Sequence, residues 1–106
     1  MFGLDKKYII FIIDILNRNI QKENVSYYIF GSRATGKYKK YSDIDIAIDM
    51  NGEKISPDIM GKILIDFEDS ILPYEVDVID LNSIDNNFKD IIESSLIKLD
   101  IDKLSD

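Results

Sequence analysis

Apolar positions near the start of the chain recur at the spacing of one helix face. An i, i+3, i+4, i+7 pattern follows Asp5, which stands where an N-cap residue would stand. The pattern predicts an amphipathic helix over residues 5–22. Its apolar positions are Ile9, Ile12, Ile13, Leu16 and Ile20.

Three later segments have the composition and alternation typical of strands. Val25 to Phe30 is rich in β-branched and aromatic residues and runs into a Gly-Ser turn. Ser42 to Met50 alternates strictly, with isoleucines on one face and mostly aspartates on the other, which indicates a half-buried strand. Glu75 to Leu81 is predicted to be a third strand.

Helix signals separate and follow these strands. Gly36 would close a short helical turn, and Ser56-Pro57-Asp58 provides a cap, a first-turn proline and a first-turn acid. Asn82 or Ser83 would cap a last helix whose apolar positions continue to Leu99, and residues 100–106 are expected to fray. The order predicts one domain over residues 1–106, of the α+β (α/β) class, with a small mixed sheet and helices packed on one face.

Composition narrows the chemistry that this domain can perform. The 106 residues include no Cys and no His, which excludes thiol nucleophiles, disulfides, zinc fingers, Ser/His/Asp triads and imidazole acid–base catalysis. A bound metal would need oxygen ligands, a preference of Mg²⁺, Mn²⁺ or Ca²⁺. The apolar run Tyr8–Ile13 is too short to span a membrane and lacks a cleavage site, so a cytoplasmic location without membrane contact is expected.

Charge is distributed unevenly along the chain. The net charge is −7, which argues against stable nucleic-acid binding. The stretch from Gly31 to Tyr41 nevertheless carries four basic residues and no acid. This stretch is therefore suited to meet an anion. Its basic residues are Arg33, Lys37, Lys39 and Lys40.

Two aspartates follow this basic stretch at a spacing suited to metal binding. Residues i and i+2 project to one side of a strand about 6.5 Å apart, so Asp43 and Asp45 can converge on one cation. Their mutual repulsion, roughly 3 kcal/mol at an effective dielectric near 20, would be removed by a divalent ion. A third carboxylate could come from the next strand, where Asp77 and Asp80 lie on opposite faces. Periodicity alone does not choose between these two.

These residues resemble a known family. The segments GSRATG (residues 31–36) and SDIDI (residues 42–46) are similar to the signature of the DNA polymerase β-like nucleotidyltransferase superfamily, and closely resemble its minimal nucleotidyltransferase (MNT) members. The resemblance implies that Gly31 and Ser32 hold nucleotide phosphates, with Arg33 beside them. It also implies that Asp43 and Asp45 bind two Mg²⁺ ions. The family pattern places the third ligand at Asp77, with Asp80 as the alternative.

The resemblance also implies a reaction and a partner. Stand-alone MNT proteins resemble the antitoxin half of HEPN/MNT toxin–antitoxin pairs, in which AMP passes from ATP to a tyrosine of the HEPN ribonuclease toxin. The expected activity is thus Mg²⁺-dependent protein adenylylation within a heteromeric complex. Two alternatives stay open: a binding module that neutralises its partner by contact alone, and a nucleotidyltransferase acting on a small molecule.

Overall fold

The structure, a computed structural model, describes residues 1–100, and the predicted frayed tail falls almost entirely outside this range. Within the described residues, four helices and four strands alternate. In order they are α1 Lys6–Asn19, β1 Ser26–Phe30, α2 Ser32–Thr35, β2 Ile44–Asp49, α3 Pro57–Glu68, β3 Val76–Asp80, α4 Asn86–Glu93 and β4 Ile97–Lys98.

The strands form one mixed sheet in the order β3-β2-β1-β4. Strand β1 is antiparallel to both of its neighbours, whereas β2 and β3 run parallel. The parallel pair is joined through α3, whose N-cap Ser56 accepts a hydrogen bond from the amide of Ile59 as its sequence predicts. The mixed sheet with flanking helices confirms the predicted fold class.

The main core lies on one face of the sheet, beneath α1 and α3. The isoleucines of β2 supply its centre, and Ile44, Ile46 and Ile48 are fully buried there. Helix α1 contributes its apolar stripe and α3 contributes Ile63 and Phe67. The alternation of β2 thus predicted the buried face correctly.

The opposite face is also covered, which corrects the expectation that all helices pack on one side. A second cluster comprises Phe30, Ala47, Leu81 and Ile92, and the last of these belongs to α4. Ala47 is completely buried although it alternates with the aspartates of β2. Strand β2 is therefore buried on both faces at its middle, whereas Asp45 and Asp49, on the same face as Ala47, are half-buried.

The C-terminal part of the described chain differs from the single long helix that was predicted. Helix α4 begins after Asp85, whose carboxylate accepts a hydrogen bond from the amide of Asn87, and not after Asn82 or Ser83. It ends at Glu93, and Ile97–Lys98 pairs with β1 as an edge strand. The apolar residues of this C-terminal segment pack in the second cluster and pair with the edge of the sheet. No helix within residues 1–100 is long and apolar enough to cross a membrane.

Candidate nucleotide and metal site

The turn after β1 is fitted closely to β2. Gly31 has φ +72° and ψ −151°, a backbone conformation that L side chains rarely adopt. A Cβ built on Gly31 would overlap the Oδ2 atom of Asp45. Glycine is therefore required here both by the backbone angle and by the carboxylate beside it.

Ser32 begins the short helix α2, which the turn leads into. The carbonyl of Gly31 accepts hydrogen bonds from the amides of Ala34 and Thr35, and Gly36 ends the helix in the left-handed conformation. Within the described residues the Ser32 hydroxyl makes no hydrogen bond. A free hydroxyl thus lies directly beside the Gly31 turn.

The register of the sheet places two aspartates of the candidate site, Asp45 and Asp77, side by side. Asp45 of β2 pairs with Phe30 on one side and with Asp77 of β3 on the other. Paired residues project to the same face of a sheet, so both carboxylates share the face that also carries the second apolar cluster. Asp43 precedes β2 by one residue and is exposed, as is Asp77, whereas Asp45 is half-buried.

Among the three aspartates, Asp45 is the one whose ionised form is disfavoured by its surroundings. Burial, and after it the nearby carboxylates of Asp77 and Asp43, together raise the pKa of Asp45 from its ordinary value to about 6. The carboxyl groups of Asp45 and Asp77 lie within hydrogen-bonding reach of each other. In the absence of a cation, the carboxyl group of Asp45 therefore keeps its proton to a higher pH than a free aspartate does.

These residues fit a divalent cation. The carboxylates supply oxygen donors, as Mg²⁺ requires, and the absent Cβ of Gly31 lets the Asp45 carboxylate lie against the backbone of the turn. Within residues 1–100 no three acidic side chains are gathered closely enough to hold a metal ion in this structure, and Asp43 and Asp77 lie open to solvent. An ion would complete the set by drawing these two exposed side chains toward Asp45.

Asp80, the alternative third ligand, lies away from this cluster. It is 6% exposed and pairs with Ile48, on the other side of β3 from Asp77. Its carboxylate accepts hydrogen bonds from the amide of Ile55, the amide of Asn82 and the hydroxyl of Ser83. The carboxylate of Asp80 thus joins the loop before α3 to the turn after β3, whereas Asp77 lies beside Asp45.

Arg33 does not reach the open face, contrary to the expectation that it contacts nucleotide. It is 2% exposed, and its guanidinium donates hydrogen bonds to the backbone carbonyls of Phe2, Lys40 and Ser42. Ser32, the preceding residue of α2, lies beside the turn, whereas the side chain of Arg33 points into the protein. The three lysines of the basic stretch, Lys37, Lys39 and Lys40, are exposed.

A family profile for the nucleotidyltransferase domain matches residues 11–102. The chain belongs to this family. The match includes the Gly31 turn and all of β2 and β3, so each residue of the candidate site lies within the nucleotidyltransferase domain.

Two relatives illustrate the relationship. Over 63 residues the chain is 40% identical to a probable protein adenylyltransferase MntA of Haemophilus influenzae, and the matched region is 59% of this chain and 54% of that protein. The chain thus spans about half the length of the curated relative. The crystal structure of a mutant of the toxin–antitoxin pair MntA–HpeT superposes with a TM-score of 0.68 at 23% identity, covering 91% of this chain and 72% of that one. The second likeness shows that the fold is shared.

The different environments of Asp77 and Asp80 lead to a first prediction. Replacing Asp80 by Ala removes a buried acceptor of three hydrogen bonds, and we expect the free energy of unfolding to fall by about 2–3 kcal/mol. Asp77→Asn should cause no loss of stability, because Asp77 is exposed and its charge repels that of Asp45. Urea unfolding of both variants in metal-free buffer checks this. Equal stability losses would contradict the assignment of the two carboxylates to different tasks.

Proposed function

We propose that this nucleotidyltransferase domain is a Mg²⁺-dependent protein adenylyltransferase and acts as the antitoxin of a toxin–antitoxin pair. It would transfer AMP from ATP to a tyrosine hydroxyl of a HEPN-type ribonuclease partner. The observation that carries the proposal is the placement of Asp45, with a raised pKa, between Asp77 and the Gly31 turn. The sequence identity with an MntA adenylyltransferase supports protein as the acceptor class.

Asp43, Asp45 and Asp77 would hold the metal. Two Mg²⁺ ions, when bound, would neutralise phosphate charge and polarise the attacking and leaving oxygens. Asp45 lies at the centre of the group, because it pairs with Asp77 of the neighbouring strand and lies two residues from Asp43. It is therefore the central one of the three carboxylates that would hold the metal.

Gly31 and Ser32 would receive the triphosphate. The Gly31 turn leads directly into Ser32, whose hydroxyl is available to donate a hydrogen bond to a phosphate oxygen. The exposed Lys37, Lys39 and Lys40 lie on the segment that follows and would raise the local concentration of the anionic nucleotide. Arg33 has no part in this contact.

The transfer requires no imidazole group. The acceptor hydroxyl oxygen forms a bond to the α-phosphorus, and the bond from that phosphorus to the bridging oxygen breaks, so pyrophosphate leaves with its electron pair. The hydroxyl proton passes to Asp77 or to solvent. Asp77 suits this role because it is the exposed carboxylate on the strand at the open edge of the sheet.

The test is incubation of the protein with ATP labelled at the α-phosphate, Mg²⁺ and the protein encoded by the adjacent gene. We expect label on the partner, removed by phosphodiesterase and mapped by mass spectrometry to a tyrosine. The double variant Asp43→Asn plus Asp45→Asn should give no label. Asp90→Asn, which removes an exposed acid on α4 that is not among the candidate site residues, is the matched control and should label normally.

Two other outcomes would replace the proposal. Neutralisation of the partner by the double variant, without labelling by the wild-type protein, would identify a binding module. Label that appears on a small-molecule alcohol and never on protein would identify a small-molecule nucleotidyltransferase. Transfer of label from ATP labelled at the γ-phosphate, in a parallel reaction, would contradict nucleotidyl transfer altogether.

A further inference from the structure

Arg33 joins segments that are far apart in the chain. Its Nε and Nη2 atoms both donate to the carbonyl of Ser42, at 3.1 and 2.8 Å, and its Nη1 atom donates to the carbonyl of Phe2 at 2.9 Å. The forked contact with Ser42 uses two donors on one acceptor, an arrangement that the ammonium of lysine cannot reproduce. The acceptor belongs to the residue directly before Asp43.

Two aromatic rings complete the surroundings of the guanidinium. Its central carbon lies 4.7 Å from the centroid of Tyr74 and 5.3 Å from that of Tyr38. Such contacts stabilise a cation that has been removed from water. Among residues 1–100 no carboxylate forms a salt bridge with Arg33, so carbonyls and rings alone compensate its charge.

Arg33 is connected to three parts of the candidate site by its own place in the chain and by its contacts with Ser42 and Tyr74. Arg33 follows Gly31 by two residues, Ser42 precedes Asp43, and Tyr74 precedes Asp77 by three residues. The phosphate turn and both exposed metal-ligand segments are thus attached to one planar group. The order in the chain gives no reason for these three segments to meet, because β2 and β3 are separated by α3.

We infer that Arg33 is a positioning residue that fixes Asp43 and Asp77 relative to the Gly31–Ser32 turn, and thereby sets the affinity of the site for its metal. The inference rests on the proposed function for the identity of the ligands. Arg33 acts through the backbone of Ser42 and the ring of Tyr74, without contacting nucleotide or metal. The burial of an arginine without a carboxylate, costly in itself, is explained by this role.

The test uses the full chain with Arg33→Lys and Arg33→Met. Arg18→Met removes an exposed arginine and serves as one control, and Ile63→Ala matches the loss of core stability without touching the site. For each variant, Mn²⁺ binding is measured by electron paramagnetic resonance, and binding of an ATP analogue is measured without metal. Amide hydrogen exchange over residues 37–44 and 74–77 is followed well below the melting temperature.

We expect Arg33→Met to weaken Mn²⁺ binding by about 10- to 100-fold, the range found when the groups that orient metal ligands are removed. Arg33→Lys should recover part of this loss, and both should accelerate exchange over residues 37–44. Metal-free nucleotide binding should be unchanged. Should Arg33→Met fail to fold, the lysine variant alone carries the comparison.

Three results would overturn the inference. A loss of metal-free nucleotide affinity with normal Mn²⁺ binding would make Arg33 a nucleotide contact. A loss of stability equal to that of Ile63→Ala, with unchanged Mn²⁺ binding, would make it a core residue only. Unchanged exchange over residues 37–44 would show that it does not hold that segment. If the wild-type protein binds no Mn²⁺, the proposed function fails, and hydrogen exchange still decides the role of Arg33.

Discussion

Asp45→Asn is expected to abolish nucleotidyl transfer and at the same time to stabilise the metal-free protein. The activity should fall by about a thousandfold, because metal ions contribute several kcal/mol to such reactions. Stability should rise, because Asp45 is half-buried beside Asp77 and Asp43, and an amide removes the charge without changing the shape. Opposite effects of one substitution on activity and stability are the signature of a site held together against repulsion.

The gain in stability should depend on pH in a defined way. The pKa of Asp45 is about 6 in the folded protein against an ordinary value of 3.8, so the folded state binds the proton more tightly than the unfolded state. The wild-type protein therefore loses stability as pH rises from about 4 to about 6. Above pH 6 the loss is complete, and there the difference between Asp45→Asn and wild type should be largest.

Thermal melts of both proteins in metal-free buffer between pH 4 and 8 check this expectation, with Asp90→Asn as the matched control. Mg²⁺ should raise the melting temperature of wild type and leave that of Asp45→Asn unchanged, since binding to the folded state alone stabilises it. A variant that melts below wild type at pH 8 would contradict the repulsion, and one that keeps its activity would contradict the metal site.

Gly31→Ala is expected to damage both the fold and the reaction. The backbone angle at residue 31 imposes a strain of about 1–3 kcal/mol on any residue with a Cβ. The added methyl group would also displace the Asp45 carboxylate, which lies in its path. A displacement of this kind costs about a hundredfold in rate even when the chemistry is intact.

Gly52→Ala separates the two effects. Gly52 also has a positive φ, of +91°, but nothing lies within 4 Å of a Cβ built there, and it follows the far end of β2. We expect a comparable loss in the free energy of unfolding and full transfer activity. Urea unfolding and the labelling assay, run side by side, make the comparison. Equal activity of the two alanine variants would show that Gly31 matters only for the backbone.

The sequence predicted the face of β2 on which Asp45 lies, because alternation along a strand is a local property. Strict alternation along β2 places Asp45 opposite the buried isoleucines, and a parallel neighbour necessarily brings one face of β3 beside it. What alternation could not provide is the register. Pairing of Asp45 with Asp77, and of Ile48 with Asp80, separates the two candidate third ligands, and this depends on the length of the connection through α3.

Tertiary contacts account for the features that the sequence did not predict. Arg33 follows a Gly-Ser turn and lies in a basic stretch, so its burial depends on Phe2 and Tyr74, which no local pattern connects to it. Likewise, Ile97 falls within the segment predicted to continue the last helix, yet it pairs with the edge of the sheet at β1. In both cases a distant partner overrides local preference.

The most direct test of the proposed metal and nucleotide site is anomalous diffraction from crystals grown with Mn²⁺ and an ATP analogue. In this analogue the α,β-bridging oxygen is replaced by methylene. We expect an anomalous peak coordinated by Asp45 and Asp77, with Asp43 turned in to join them and the triphosphate lying over Gly31 and Ser32. Nucleotide bound elsewhere on the protein, with no ion at these carboxylates, would contradict it.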